Sequence, residues 1–257
     1  GYVARLIAKG YRVALCDQLE DSSVAKGVVA RGVVRVVTPG TLVEPQLLDS
    51  RRNNYLVAFA PGPDRCGIAY IDITTSEFGV TQLPVDRALI ELDRLSGAEV
   101  VVPADAEPPA LAGGIVTPVE PAWFHGGDAR ERVLRHFSAA TLEAFGCERL
   151  PLATAAAGAI LAYLAETQPP ALAQVTRLFT YTTEGWMELD AQTRRNLELF
   201  QRSREATAQG SLLSVLDRTK TSMGARLLRR WVERPLKSLA PLHQRLDAVT
   251  AFHDNLM

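Results

Sequence analysis

The apolar positions of this chain change their period twice, and each change marks a change of architecture. Tyr2, Val3, Leu6 and Ile7 recur at helical spacing, and Gly10 stands where a helix end turns into the left-handed region. Residues 11–16 and 31–38 are then short runs rich in β-branched side chains, the second stopped by Pro39-Gly40. From 54 to about 168 the pattern becomes that of a mixed sheet. Residues 55–60, 67–73 and 78–83 predict three antiparallel strands, joined through Pro61-Gly62-Pro63-Asp64 and through a turn over 74–77. A helix over 85–95 places Leu89, Leu92 and Leu95 on one face, and Val100-Val101-Val102 suits a buried strand. Residues 103–121 are rich in Pro, Ala and Gly and predict a loop with one strand at 115–119, before helices over 128–137 and 153–167.

Gln168-Pro169-Pro170 predicts the next boundary. Beyond it the sequence predicts a hairpin, 178–184 turning at Gly185 into 186–189, and then only helices. Asp190 is placed to cap a helix over 191–203, residues 212–216 form a short helical stretch, Thr221 or Ser222 caps a helix ended by Pro235, and another helix runs over 241–255. The fold class expected is therefore α/β followed by all-α, with no internal repeat.

Composition narrows the function classes. Hydrophobic residues at 47% and charged residues at 22% are ordinary for a globular protein, and no apolar run reaches bilayer length. Cys16, Cys66 and Cys147 are odd in number and far apart, which points to reduced thiols in a cytoplasmic setting and away from a disulfide framework or zinc site. A net charge of −1 excludes a globally basic nucleic-acid binder, yet residues 190–237 hold eleven Lys/Arg against five Asp/Glu. That basic end hints at an anionic partner. The chain opens at Gly1 in mid-helix pattern and stops at Met257 just after an apolar helical pattern, so both ends read as cuts.

Three stretches carry a family resemblance. Gly10-Tyr11-Arg12-Val13-Ala14-Leu15-Cys16-Asp17-Gln18-Leu19-Glu20-Asp21, with Ala25-Lys26-Gly27 and Arg35-Val36-Val37-Thr38-Pro39-Gly40-Thr41, resembles the closing part of the mismatch-binding domain of MutS-type DNA mismatch-repair proteins. Leu189-Asp190-Ala191-Gln192-Thr193-Arg194-Arg195-Asn196-Leu197-Glu198 resembles the entry into that family's helical core. So do Ser211-Leu212-Leu213, Met223-Gly224, Arg226-Leu227-Leu228, Trp231 and Pro235-Leu236 in the following stretch. The resemblance implies three parts: residues 1–52, the rear of the mismatch-binding domain; 53–168, a connector with an RNase H-like fold; and 169–257, the start of the helical core and lever. It implies a longer parent that is a DNA-dependent ATPase using ATP and Mg²⁺, a homodimer on mismatched double-stranded DNA in the bacterial cytoplasm, with MutL as a possible partner of the connector. The family's mismatch-probing Phe-x-Glu motif and the Gly-x-x-x-x-Gly-Lys-[Ser/Thr] phosphate loop are absent from this sequence. The part in hand is thus expected to be no enzyme, to hold no cofactor or metal, and to couple its neighbours.

Candidate residues divide by chemistry. Lys26, Arg31 and Arg35 are DNA-phosphate candidates, and period-two alternation puts Arg31, Val33 and Arg35 on one strand face opposite Val34 and Val36. Asp190, Arg194, Asn196, Met223, Gly224, Arg226, Trp231 and Pro235 form a structural signature. Within it, Gly224, Leu227, Leu228 and Trp231 follow helical spacing, so Gly224 is expected to let two helices pack closely. Arg194, Arg195, Arg226, Arg229 and Arg230 read as a solvated helix face or as a phosphate surface, with Leu227, Leu228 and Trp231 on the buried side and Glu233 within reach of Arg229. Asp72 in an early strand invites comparison with metal-dependent nucleases, but only Asp105 joins it as a second acidic candidate, fewer than two-metal chemistry needs. His125, His136, His243 and His253 are scattered without ligand spacing. Two alternatives stay open: a nuclease on the middle domain, and a plain protein-interaction module.

Overall fold

A computed structural model describes residues 2–7, 9–18, 31–111, 113–202 and 207–255. The chain divides into two compact units, Gly1–Tyr181 and Thr182–Met257.

The first unit begins with helix α1 (Tyr2–Ile7) and an antiparallel pair, β1 (Val13–Gln18) and β2 (Arg31–Val37). Ile7, Val37 and Leu42 form a small core beneath that pair. The pairing register slips between Leu15 and Cys16, so that Leu15 faces Arg35 and Cys16 faces Val33, and Val34 is an extra residue. Such a bulge breaks the two-residue period. The alternation expected for Arg31, Val33 and Arg35 therefore does not hold: Val33 and Val34 are both exposed, while Arg35 is half-buried.

Next come β3 (Leu56–Ala60), β4 (Arg65–Asp72), β5 (Glu77–Pro84), helix α2 (Val85–Leu95), β6 (Glu99–Pro103), β7 (Ile115–Val119), α3 (Gly126–His136), α4 (Pro151–Thr167), the short α5 (Pro169–Leu172) and β8 (Phe179–Thr180). They build one six-stranded mixed sheet in the order β7-β6-β3-β4-β5-β8. The β3–β4 and β4–β5 pairs are antiparallel; β3–β6, β6–β7 and β5–β8 are parallel. Strands covered on both faces read as continuous apolar runs, as Leu56–Ala60 does. Leu56, Ala58 and Ala60 point with Ile71 and Val101 toward α3 and α4, whereas Val57 and Phe59 point with Tyr70 and Val100 toward α2. Gly67 and Gly158 make the close approaches that this layering requires. A Cβ at Gly67 would lie 2.0 Å from the Leu152 carbonyl oxygen, and one at Gly158 would lie 2.5 Å from the Ala129 Cβ.

Two expectations are corrected here. The buried face of α2 is Ala88, Leu92 and Leu95, with Leu89 38% exposed, because at about 100° per residue Ala88 lies almost in line with Leu95 whereas Leu89 lies roughly 120° round the helix from it. No hairpin forms over 178–189. Phe179 and Thr180 instead add a parallel edge strand beside β5, and the Tyr181 hydroxyl donates to Glu91 Oε1 at 2.8 Å.

The second unit holds α6 (Ala191–Asn196), α7 (Leu212–Leu216), α8 (Ser222–Glu233) and α9 (Leu239–Asp254). Helix α6 stops at Asn196, well short of 203, because Glu198 takes a positive φ of 48° and carries the chain out of the helix. The Trp186–Leu236 bridge and the Met187 N–H donating to the Pro235 carbonyl (2.8 Å) tie the start of the unit to the end of α8.

Candidate functional site

A buried polar network lies where the β1–β2 pair runs into the sheet. Residues 38–41 leave β2 in an extended conformation at Thr38 and close a single tight turn, with the Thr38 N–H donating to Thr41 Oγ1 at 3.0 Å. That turn sits on Glu99, the first residue of β6, which has no exposed surface. Glu99 Oε2 accepts from the Thr38 hydroxyl and from the Gly40 N–H (3.0 Å). Its Oε1 accepts from the Thr117 hydroxyl of β7 (2.7 Å) and the Tyr163 hydroxyl of α4 (2.6 Å). Burial first, and then the charge of Glu99, push the Tyr163 phenol well above its ordinary range, so it remains a donor. A buried carboxylate is tolerated when its lone pairs are filled in this way.

Asp72 closes the other side of the same joint. Buried at the end of β4, it accepts from Asn53 Nδ2 (2.8 Å), the Asn54 N–H (3.3 Å), and the Thr74 N–H and hydroxyl (2.9 and 2.6 Å). Asn54 Nδ2 in turn donates to the Pro39 carbonyl at 2.8 Å. A continuous set of hydrogen bonds thus runs from Glu99 through 38–41 and 53–54 to Asp72. Asp105, by contrast, is exposed beyond β6. Among the described residues no group of His, Cys, Asp or Glu is placed to hold a metal ion. Asp72 is occupied as a structural acceptor.

A second buried cluster holds the far end of the sheet unit. Glu91 accepts from Arg94 Nε and Nη2, both at 2.6 Å, and from Tyr181. Burial and the Glu91 charge raise the Tyr181 phenol well above its ordinary range. Sequence reasoning missed both clusters. The available signal was small: a lone acid opening an apolar run at Glu99, and an i, i+3 Glu–Arg pair within α2.

The phosphate candidates do not converge. Lys26 lies outside the described residues. Arg31 is exposed at the end of β2. Arg35 is taken up by an ion pair with Glu44, at 28% and 21% side-chain exposure. Burial raises the Glu44 carboxyl, but backbone hydrogen bonds and Arg35 outweigh that and hold it below the usual range.

In the helical unit the signature residues cap and stack. Asp190 Oδ1 accepts from the Thr193 N–H at 2.6 Å, and that bond holds its carboxyl below the ordinary range. Asn196 accepts from Gln192 at 2.8 Å, and Arg195 donates to Gln192 at 2.9 Å. Arg194 is half-buried in α6. Thr221, not Ser222, caps α8 by accepting from the Gly224 N–H at 3.0 Å. Among the described residues, the nearest atoms that a Cβ at Gly224 would meet belong to Thr221 and Thr219, at 3.2 and 3.4 Å, in the turn that enters α8 rather than on a second helix. The buried residue of α8 is Ala225, while Met223 and Leu227 are exposed and Arg226 is half-buried. Nor are the arginines a plain solvated face. Arg229 pairs with Glu233 at 2.9 Å and lies 4.4 Å from the centre of the Phe200 ring. Arg234 lies over Trp186 and Arg245 over Trp231, at 4.4 and 4.7 Å, contacts worth about 0.5–1 kcal/mol each near a surface. Of the histidines, His136 bonds the Val175 carbonyl at 2.8 Å and His253 the neighbouring Asp254; His125 precedes α3, and His243 is exposed on α9.

Comparison with known proteins adds an ordered pattern to this geometry. MutS domain I matches residues 1–46, MutS domain II residues 54–176, and MutS domain III residues 192–257. The chain is similar to a DNA mismatch repair protein MutS from Dehalococcoides mccartyi, 46% identical over 98% of this chain and 30% of the relative. It is also similar to proteins of the same name from Symbiobacterium thermophilum, 48% identical over 96% of this chain and 30% of the relative, and Thermosynechococcus vestitus, 42% identical over 99% and 31%. The chain therefore spans about 30% of the length of these curated relatives. With three successive MutS domains matched in order along a sheet unit and a helical unit, the chain belongs to the MutS family.

Proposed function

We propose that this chain is the coupling section of a longer DNA mismatch-recognition protein, joining a DNA-side domain to a helical core without itself reading the mismatch or hydrolysing ATP. The observation that carries the reading is the ordered match to MutS domains I, II and III along nearly the whole sequence. The domain limits we propose are 1–52, 53–168 and 169–257. The antiparallel β3–β4–β5 meander, flanked by parallel β6 and β7 and covered by helices on both faces, supports an RNase H-like reading of the middle domain. In the longer protein, ATP and Mg²⁺ would act at a phosphate loop that this sequence does not contain. Mismatched duplex DNA, a second copy and MutL would be its partners, in the bacterial cytoplasm.

On this reading the chain contributes stiffness and a few phosphate contacts, Arg31 foremost, which position DNA without specifying sequence. Fluorescence anisotropy of the purified chain on matched and G·T-containing duplexes is the test. Binding should be weak, should differ by less than about threefold between the duplexes, and should fall with salt as phosphate contacts require. Discrimination well beyond that would contradict the reading, and a flat salt response would favour a module with no DNA role. The nuclease alternative loses its support, because the Asp72 oxygens are filled by Asn53, Asn54 and Thr74. Mg²⁺- or Mn²⁺-dependent cleavage of labelled duplex, abolished by Asp72→Asn, would restore it.

A further inference from the structure

We infer that Glu99 is a latch: a positioning residue that holds the β1–β2 pair on the six-stranded sheet by giving each of its oxygens to a different side of the joint. Oε1 serves the sheet unit's own framework, through Thr117 of β7 and Tyr163 of α4. Oε2 serves the entering segment, through Thr38 and Gly40. The latch requires a glycine opposite it. A Cβ at Gly40 would lie 2.9 Å from both the Glu99 Cβ and Leu56 Cδ1 and 3.0 Å from Oε2, so any side chain there would push the segment off the carboxylate and off β3.

The four donors are not equivalent, and that sets what substitutions do. The three hydroxyls can turn round and accept, whereas the Gly40 N–H can only donate. Glu99→Gln can aim its amide oxygen at Thr38 and Gly40 and its NH₂ at Thr117 and Tyr163, which then accept. It should keep the segment in place. Glu99→Ala removes the acceptor and leaves a buried N–H and three hydroxyls without it, the situation that favours local opening to water. The opening should stay local. Strands β3, β4 and β5 keep their own ladders and two apolar faces, while β1 and β2 rest on a core of three buried residues. This inference stands on hydrogen bonding and packing within the sheet unit and does not depend on any role in DNA recognition.

Backbone amide exchange of the 257-residue chain tests it. In Glu99→Ala the amides of Gly40, Thr41 and Arg31–Val37 should exchange at least about tenfold faster, with those of β4 and β5 unchanged, as a sub-global opening requires. Glu99→Gln and Tyr163→Phe should leave residues 38–41 within about threefold of wild type, because both keep an acceptor on Gly40. Gly40→Ala, which retains Glu99, should reproduce the local opening and supplies the test if Glu99→Ala does not fold. The latch is refuted if Glu99→Ala or Gly40→Ala leaves 38–41 as protected as wild type. It is equally refuted if they speed exchange across the whole sheet, or if Glu99→Gln opens the segment as far as alanine.

Discussion

Both faces of the six-stranded sheet are covered by residues of its own unit, whereas the sixteen-residue helix α9 of the helical unit buries none of its side chains. Leu239, Leu246, Val249 and Phe252 along α9 are between 52% and 79% exposed. Each unit is held together internally by a different kind of contact. In the sheet unit, residues far apart in sequence meet, as Glu99 does with Thr38 and Tyr163. In the helical unit few side chains are buried, and the contacts are caps at Asp190, Ser211 and Thr221, the Arg229–Glu233 pair, and polar or ring contacts such as Met187 with Pro235 and Arg234 over Trp186. Long-range burial gives a cooperative body, while a helix cap contributes only about 0.5–2 kcal/mol. The sheet unit should therefore melt as one block, and the helical unit should lose structure piecemeal.

Substitutions sharpen that contrast, beginning with the strongest. Gly67→Val should destabilise the sheet unit by about 3 kcal/mol or more, because its Cβ collides with the Leu152 backbone at the start of α4, a neighbour that cannot yield cheaply. Thermal unfolding followed on β-sheet signals would read this directly. A small effect would mean that α4 is loosely seated. Asp72→Ala should cost about 2 kcal/mol, since the Asn54 and Thr74 N–H groups lose their acceptor. Denaturant titration should show it without a change in slope. Thr221→Ala should cost about 1 kcal/mol and be felt only in α8, where Gly224 loses its partner. Leu246→Ala, on the exposed stripe of α9, should change the stability of this chain by less than about 0.5 kcal/mol. A large loss there would show α9 to be packed after all.

The same division explains what could be read from the sequence. Asp190, Thr221 and the Arg229–Glu233 pair were legible because a cap or an i, i+4 pair is written within four residues. The three-strand meander and β6 were legible because strands buried on both faces are apolar throughout. What failed was long-range. Counting leucines put Leu89 on the inner face of α2, a place that the fully buried Ala88 takes instead. The predicted hairpin at 178–189 gave way to a partner in β5, nearly a hundred residues earlier in the chain, which no local pattern announces. The bulge at Val34 defeated the alternation that had grouped Arg31 with Arg35. Glu99 was invisible for the same reason: its donors at 38, 40, 117 and 163 come together only in the folded sheet unit.

The account turns on the β1–β2 pair and the sheet moving as one body. Paired spin labels at Val34 on β2 and Leu89 on α2, both exposed, measure that directly once the exposed Cys16 is replaced by serine. A single narrow distance distribution that broadens on Glu99→Ala is the expected result. A distribution already broad in the unsubstituted chain, or one indifferent to the loss of Glu99, would contradict it.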